Sequence, residues 1–290
     1  MPFTLSHLAA VLPLMRRPFG RAALAAGAVA PDMPYFVVTT GLPVSAQSWY
    51  EPFVNATTSH TALGAVTVTL PYALTLWGLA RAGRRPLASL LPLPAAPSPP
   101  RTAGTLIRRA GWIVLSALIG IATHLIWDAF THHDDFVVTH VPWLTSTPVG
   151  GLTWARTLQH ASTIGGLTAI AAYVWRRRAR LLNGKGRTGP GNATRRRALL
   201  AMALLTAVGA VAHAWWRLAG PEAATTGVSP SAVIEGALSD AAKGAGATLT
   251  GILLLHVIAW WVRHALTAAR PHGSGAGSVH DDAPRANTAA

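Results

Sequence analysis

Residues 110–130 read AGWIVLSALIGIATHLIWDAF, an apolar run whose only ionisable side chains, His124 and Asp128, lie near its end. A helix of about 20 apolar residues crosses a hydrocarbon core of about 30 Å. The stretch therefore predicts a transmembrane helix. Ionisable groups inside such helices are costly and rare, so this pair requires an explanation.

The rest of the chain has the same apolar character. Hydrophobic residues make up 51% of the 290 residues and charged residues only 12%, which is too apolar for an ordinary soluble domain. Several tryptophans flank the apolar stretches, as expected at the headgroup layer. We predict an all-α, polytopic membrane helical bundle with about five transmembrane helices. The spans lie near residues 61–80, 110–130, 158–175, 198–218 and 247–267.

The basic residues lie between these spans. The loops at residues 81–109 and 176–197 contain six and nine Lys or Arg residues, and neither contains an acidic residue. By the positive-inside rule both loops are cytoplasmic, and the loops at residues 131–157 and 219–246 lie on the other side. The net charge of +14 is thus a topological signal that also attracts anionic membrane lipids, and it does not indicate a nucleic-acid partner.

The first 60 residues contain two apolar arms, residues 5–14 and 22–30, each about half a span long. Three arginines separate the arms, and one continuous helix would bury them near the membrane centre. We therefore expect a helical hairpin, either re-entrant or lying on the outer leaflet. The hairpin would return the chain so that His7 and Asp32 lie at the same end.

Residues 1–270 are predicted to form a single membrane-embedded domain. The proline-rich segment 87–100 and the glycine-rich segment 183–192 have the composition of solvated connectors. Residues 271–290 are rich in Gly, Ser, Ala and Asp, and we expect a disordered cytoplasmic tail.

This topology collects the polar residues at the non-cytoplasmic end of the helices. Within the second span, His124 and Asp128 are four residues apart and therefore share a helix face, which His132 approximately continues. Several other chain segments bring a histidine or an aspartate to a similar depth. They contain His7, Asp32, His60, His132 with His133, and His160.

A histidine and carboxylate cluster at one depth predicts a divalent metal site. The chain has no cysteine, so any metal must be held by nitrogen and oxygen. These donors suit Zn²⁺ and, with more carboxylate and water, Mn²⁺ or Fe. A metal with an open position can lower the pKa of bound water and polarise a carbonyl or phosphoryl oxygen.

Five segments carry a resemblance to a known family: MPFTLSHLAAVLPL (1–14), GAVAPDMPYF (27–36), HTALG (60–64), HLIWDAFTHH (124–133) and LQHASTIGG (158–166). Over about residues 1–175 the sequence resembles the bacterial membrane proteins of domain-of-unknown-function family 4184. Those proteins are distantly similar to inner-membrane-associated metal-dependent hydrolases and to zinc-dependent phospholipase C. The resemblance implies a multi-pass protein of the bacterial inner membrane.

The resemblance also implies a set of site residues. The shared pattern of an N-terminal His, a Pro-Asp, a His-Thr and a His-x-x-x-Asp nominates metal ligands, and the topology together with the LQH segment adds His160. The His-Arg-x-x-Thr-His form common in the hydrolases is absent, since TTSH stands at residues 57–60. The candidate ligands are His7, Asp32, His60, His124, Asp128 and His160, and the candidate catalytic carboxylates are Asp128, Asp134 and Asp135.

Structural roles are the alternative for each of these residues. His124 and Asp128 can form a hydrogen bond within the bundle, and Asp32 can cap a helix or form a turn. Residues 132–135 can be a solvated loop. For His213, His256 and His264 we expect packing roles.

The function that we expect is a metal-dependent hydrolase that opens at the outer leaflet and cleaves an ester or phosphoester, with a lipid or lipid-linked substrate. A transporter or proton relay is one alternative, although only His256 and His264 lie deeper on such a route. The others are a non-catalytic scaffold and non-hydrolytic chemistry on a hydrophobic substrate such as an isoprenoid.

Overall fold

A computed structural model describes most of the chain. Every regular element in the described part is a helix, which confirms the all-α prediction. Among the described residues, four helices are long and apolar enough to cross a membrane, so the chain is a membrane protein. The predicted tail at residues 271–290 lies outside the described residues, as do parts of both predicted connectors. The described residues are 4–38, 45–91, 93, 102–132, 135–147, 151–181, 191–219 and 230–268.

The N-terminal segment forms a hairpin of short helices. Its first arm, Thr4–Leu14, is a short helix between two 3₁₀ turns, and its second arm runs through a further 3₁₀ turn at Ala30–Asp32. The two arms pack through a buried apolar cluster that contains Val11 and Leu24. The helices are α1 (Leu8–Val11), α2 (Arg21–Val29) and α3 (Met33–Val38).

The first predicted span, 61–80, lies in a longer helical stretch. After three short helices, a π-helical stretch at Ala65–Thr69 leads directly into the long helix. The helix continues to Leu90, past the predicted connector start at residue 87, because a helix need not end where the hydrocarbon ends. The elements are α4 (Glu51–Val54), α5 (Ala56–Ser59), α6 (Ala62–Gly64) and α7 (Leu70–Leu90).

The apolar run at residues 110–130 lies almost entirely in α8 (Ala103–Ala129), whose N-terminus is capped by the Thr102 side chain. Two short helices, α9 (Phe136–His140) and α10 (Pro142–Thr145), follow, and then α11 (Trp154–Leu181). The predicted span 158–175 lies in α11, which is long enough to cross a membrane but is not among the four helices that are also sufficiently apolar. The polar start of α11 keeps this helix out of that group, and its crossing of the membrane stays a prediction.

The last two helices form a close antiparallel pair, α12 (Asn192–Ala219) and α13 (Pro230–Ala268). The predicted spans 198–218 and 247–267 lie inside them. The predicted loop at 219–246 is wrong over its second half, because α13 already begins at Pro230. Proline suits the first turn of a helix, and the alanine-rich sequence that follows favours helix despite its charges.

Helix α2 runs parallel to α8 and in register with it. The Gly20 N–H donates to Ser116 Oγ (2.9 Å), and His124 Nδ1 lies 2.8 Å from the Ala28 carbonyl oxygen, the same sequence offset of 96 residues. The backbones touch at Gly27, where a Cβ atom would overlap the carbonyl group of Ala117. The second arm thus penetrates the bundle alongside a spanning helix, which favours a re-entrant hairpin.

Candidate metal centre

Four side chains from three parts of the chain meet beside the end of α8. Asp32 comes from the 3₁₀ turn after α2, His60 from the junction between α5 and α6, and His124 and Asp128 from adjacent turns of α8. One ligand atom from each lies within 4.8 Å of the others. We call these four residues the Asp–His cluster.

Each imidazole of the Asp–His cluster faces both carboxylates. His124 Nε2 lies 3.1 Å from Asp128 Oδ2 and 3.5 Å from Asp32 Oδ1. His60 Nε2 lies 3.3 Å from Asp128 Oδ2 and 3.7 Å from Asp32 Oδ1. The two nitrogens and the carboxylate oxygens therefore surround one common point.

Backbone carbonyls fix which nitrogen of each ring faces that point. His124 Nδ1 lies 2.8 Å from the Ala28 oxygen, and His60 Nδ1 lies 2.8 Å from the Ala56 oxygen. A carbonyl oxygen only accepts hydrogen bonds, so each Nδ1 carries the proton. In the neutral ring Nε2 then presents a lone pair to the carboxylates, the arrangement that orients histidine for a metal.

The inward-facing atoms have no hydrogen-bond partners of their own. They are buried, and among the described residues none meets the geometry of a hydrogen bond: Nε2 of His60 and His124, and both carboxylate oxygens of Asp32 and Asp128. Lone pairs that face carboxylates repel unless a cation lies between them, and the two carboxylates balance the charge of a divalent ion. The Asp–His cluster could therefore hold a metal ion.

The Asp–His cluster is most exposed at His60. The side chains of Asp32 and His124 are 1% and 0% exposed, whereas that of His60 is 21% exposed. Burial lowers the pKa of His60, but Asp128, the Ala56 carbonyl group and Asp32 together raise it more, so the pKa lies above its ordinary value. The same excess of negative charge that attracts a proton here would attract a metal.

His7 lies against the Asp–His cluster from the first arm of the hairpin. Its ring stacks on that of His124 with 3.8 Å between the centroids, and its Nε2 lies 3.5 Å from Asp128 Oδ1. Both of its nitrogens are buried, and no described residue forms a hydrogen bond with them. His7 and Asp32 thus lie at the same end of the hairpin, as predicted, and His7 lies at the edge of the Asp–His cluster.

Two hydroxyl groups that the sequence did not single out hold the His60 segment in place. Ser59 Oγ donates to the Pro31 carbonyl oxygen (2.8 Å), and Thr69 Oγ1 donates to the Ser59 carbonyl oxygen (2.8 Å). Both side chains are fully buried. The available signals were Ser59, directly before a predicted ligand, and Thr69, in the more apolar stretch that follows.

The structure does not bring His160 to the Asp–His cluster. His160 is exposed on α11, and the preceding residue, Gln159, is the buried one. Successive residues on a helix point about 100° apart, so a correct depth does not ensure a correct face.

The loop after α8 brings one of the predicted catalytic carboxylates, that of Asp135, near the Asp–His cluster. His132 Nδ1 lies 3.6 Å from Asp128 Oδ1 and 3.7 Å from Asp135 Oδ2. The Asp135 side chain is 46% exposed, so it lies at the open mouth of the site. His133 and Asp134 lie outside the described residues.

The histidines expected to have packing roles lie elsewhere. His213 Nδ1 donates to the Gly209 carbonyl oxygen (3.0 Å) inside the α12–α13 pair. His256 Nε2 lies 3.2 Å from the Pro86 carbonyl oxygen of α7, and His264 stacks on Trp260. The first and third of these contacts lie within single helices, and the second joins α13 to α7.

Comparison with known proteins gives one match. A family model matches residues 1–268, well beyond the 175 residues that carry the resemblance, and extends to the end of α13. No curated protein and no solved structure matches. The matched range includes the whole Asp–His cluster and His7. The chain belongs to the DUF4184 family, a domain of unknown function.

Proposed function

We propose that this protein is a membrane-embedded, metal-dependent hydrolase that cleaves an ester or phosphoester. The observation that carries the proposal is the convergence of buried, unpartnered nitrogen and oxygen atoms in the Asp–His cluster. Burying polar atoms costs roughly 1–3 kcal/mol or more for each group that stays unsatisfied. A bound cation would offset that cost by accepting the lone pairs of the two carboxylates and of both Nε2 atoms.

The four residues of the Asp–His cluster would hold the metal, with Zn²⁺ the best match to two imidazoles and two carboxylates and Mn²⁺ or Fe as alternatives. When bound, such a metal would lower the pKa of a water molecule and polarise the substrate oxygen. His7 is near enough to Asp128 to add a ligand or to orient that carboxylate. The exposed side of His60 leaves one face of the site open for water.

Asp135 is the described carboxylate best placed to take a proton from the attacking water. It contacts His132, which in turn contacts Asp128, so these side chains connect the buried cluster to the open mouth. An exposed carboxylate that can exchange protons with solvent suits a general base. Asp134 is the neighbouring alternative, and Asp128 itself can act as a ligand and proton acceptor.

The distribution of charge supports a site on the non-cytoplasmic side of a bacterial inner membrane. Arg108 and Arg109 lie near the start of α8, and Asp128 lies near its end. The exposed arginines of the hairpin tip lie beside the first half of α8, since Phe19 packs on Trp112. Positive charge on one side and the site on the other follow the positive-inside rule. A lipid or lipid-linked substrate fits this position.

The test is hydrolysis by the purified protein. Fluorogenic esters and phosphodiesters are incubated with the wild type in the presence of Zn²⁺ or Mn²⁺, and with His124→Ala, Asp128→Ala and Asp135→Asn. We expect metal-dependent turnover that falls by about 100-fold or more in the variants. His213→Ala, on a distant helix pair, is the control and should keep wild-type turnover. Equal turnover in His124→Ala and the wild type would overturn the proposal.

A further inference from the structure

A second feature lies directly beside the Asp–His cluster. A cavity of about 360 Å³ lies where the first arm of the hairpin meets α8 and α11. We call it the side groove. Its walls include Ala9, Ala10, Trp127, Gly165 and Gly166, with His7 at its inner end. The volume lies within the range of about 300–1,000 Å³ that is typical of ligand sites.

His7 joins the side groove to the Asp–His cluster. The same imidazole lines the groove, stacks on His124 and lies 3.5 Å from Asp128. The polar opening of the cluster is elsewhere, at His60 and His132, whose side chains are 21% and 26% exposed. The cluster therefore has a polar mouth on one side and the side groove on another.

The chemistry of the walls favours a hydrocarbon chain over an ion. Apart from His7 and two serines, the described residues that line the side groove are alanine, glycine and tryptophan, and none of them is Asp, Glu, Lys or Arg. The groove also lies against α8, one of the four helices that can span the membrane. An apolar groove at that position is within reach of the lipid chains.

Two adjacent glycines have opposite surroundings in the groove. A Cβ atom on Gly166 would lie 2.8 Å from Ser6 of the first arm, so this glycine is needed for close packing. A Cβ atom on Gly165 would meet no heavy atom within 4 Å. The open space at Gly165 can therefore be filled without displacing the hairpin.

We propose that the side groove holds one acyl chain of a membrane lipid, whose polar end reaches the Asp–His cluster past His7. The inference rests on the proposed function, for which it names the substrate class. A lipid in this position would leave its chain in the hydrocarbon and place its ester or phosphoester between the groove and the polar mouth. The small residues of the walls make room for the chain, and His7 lies where chain and polar group meet.

The test uses a phospholipid that carries a diazirine on one acyl chain. The protein is reconstituted in nanodiscs with this lipid and irradiated, and the labelled peptides are mapped by mass spectrometry. We expect the wild type to be labelled in the first arm of the hairpin and around residues 162–166. Gly165→Leu should reduce that labelling about tenfold, because its side chain fills the groove.

Two further variants make the outcome specific. Gly78→Leu is the matched control, because a Cβ atom at Gly78 of α7 also meets nothing within 4 Å, and it should keep wild-type labelling. His124→Ala should also keep it, because the chain does not need the metal. Wild-type labelling of Gly165→Leu at these residues would overturn the inference. Retained labelling without any hydrolysis would instead overturn the enzyme and leave the lipid site standing.

Discussion

The helices around the Asp–His cluster and the α12–α13 pair are both apolar, yet they use their side chains in opposite ways. In α8, 28% of the apolar window is buried inside the protein, whereas in α12 and α13 the share is 0%. The buried residues of α8 include Ser116, His124 and Asp128. In a lipid environment apolar surface does not identify the core, and buried polar or small residues identify it instead.

The backbones of neighbouring helices approach closely in both regions, but the two contacts have different roles. Between α2 and α8 it occurs at Gly27 and Gly120 and aligns the Ala28 carbonyl with His124. Between α12 and α13 it occurs at Gly209 and Gly244 and surrounds His213. The first contact supports a candidate site, whereas the second supports a pair of packed helices.

The largest effect is expected for Gly27→Leu. A side chain at this position would overlap the Ala117 backbone and force α2 away from α8, which costs about 4 kcal/mol or more. The measurement is thermal unfolding in detergent. Gly251→Leu of α13 is the matched control, because a Cβ atom there meets nothing within 4 Å, and its unfolding should match the wild type. Equal stability of the two variants would contradict the packing described for α2 and α8.

Removing the metal should have the next largest effect. At a free metal concentration of about 100 times Kd, binding stabilises the folded state by about 3 kcal/mol, so a chelator should lower the unfolding temperature. His124→Ala should show no response to the chelator, whereas His213→Ala should respond like the wild type. If the chelator lowered the unfolding temperature of His124→Ala as much as that of the wild type, the stabilising metal would not be bound at the Asp–His cluster.

Ser59→Ala tests the support around the ligands. Its hydroxyl connects the His60 segment to the turn that carries Asp32. Loss of such an outer contact commonly weakens metal binding by about 10–100-fold, and we expect a weakening in that range by titration with Zn²⁺. Ser162→Ala serves as the comparison, because that hydroxyl donates only within α11 and should leave affinity unchanged. Unchanged affinity in Ser59→Ala would argue that the His60 segment is held by other contacts.

The smallest effect is expected where α11 meets α13. Arg156 and Glu235 form an ion pair between these helices, and both side chains are almost half exposed. Such pairs contribute about 0–1 kcal/mol, so Arg156→Ala should shift the unfolding temperature only slightly and leave metal content unchanged. A double-mutant cycle with Glu235→Ala measures the coupling. A large coupling would mean that the two regions are less independent than their packing indicates.

Local periodicity and charge were sufficient to predict the features that are set within a single helix or hairpin. The apolar run of α8, the i,i+4 relation of His124 and Asp128, and the hairpin that brings His7 near Asp32 all follow from spacing and from the cost of burying arginine. The polar second half of the loop 219–246 was misleading, because charged residues on α13 are compatible with a helix that extends beyond the lipid. An ion pair between Lys243 and Asp240 even lies along that helix.

Features that depend on rotation and on the backbone could not be predicted. The topology and the LQH segment suggested His160, but the rotation of α11 buries Gln159 instead. The carbonyl oxygens of Ala28 and Ala56 orient the two imidazoles, and a carbonyl has no residue signature. Neither the side groove nor the open space at Gly165 has a pattern in one sequence, because both arise only where three segments meet.

Metal analysis of the purified protein tests the central claim most directly. The protein is loaded with Zn²⁺, freed of excess ion by gel filtration and measured by inductively coupled plasma mass spectrometry, alongside His124→Ala, Asp128→Ala, His160→Ala and His213→Ala. The account predicts stoichiometric zinc in the wild type, His160→Ala and His213→Ala, and a loss of that zinc in His124→Ala and Asp128→Ala. Equal zinc in all five proteins, or none in the folded wild type, would contradict it.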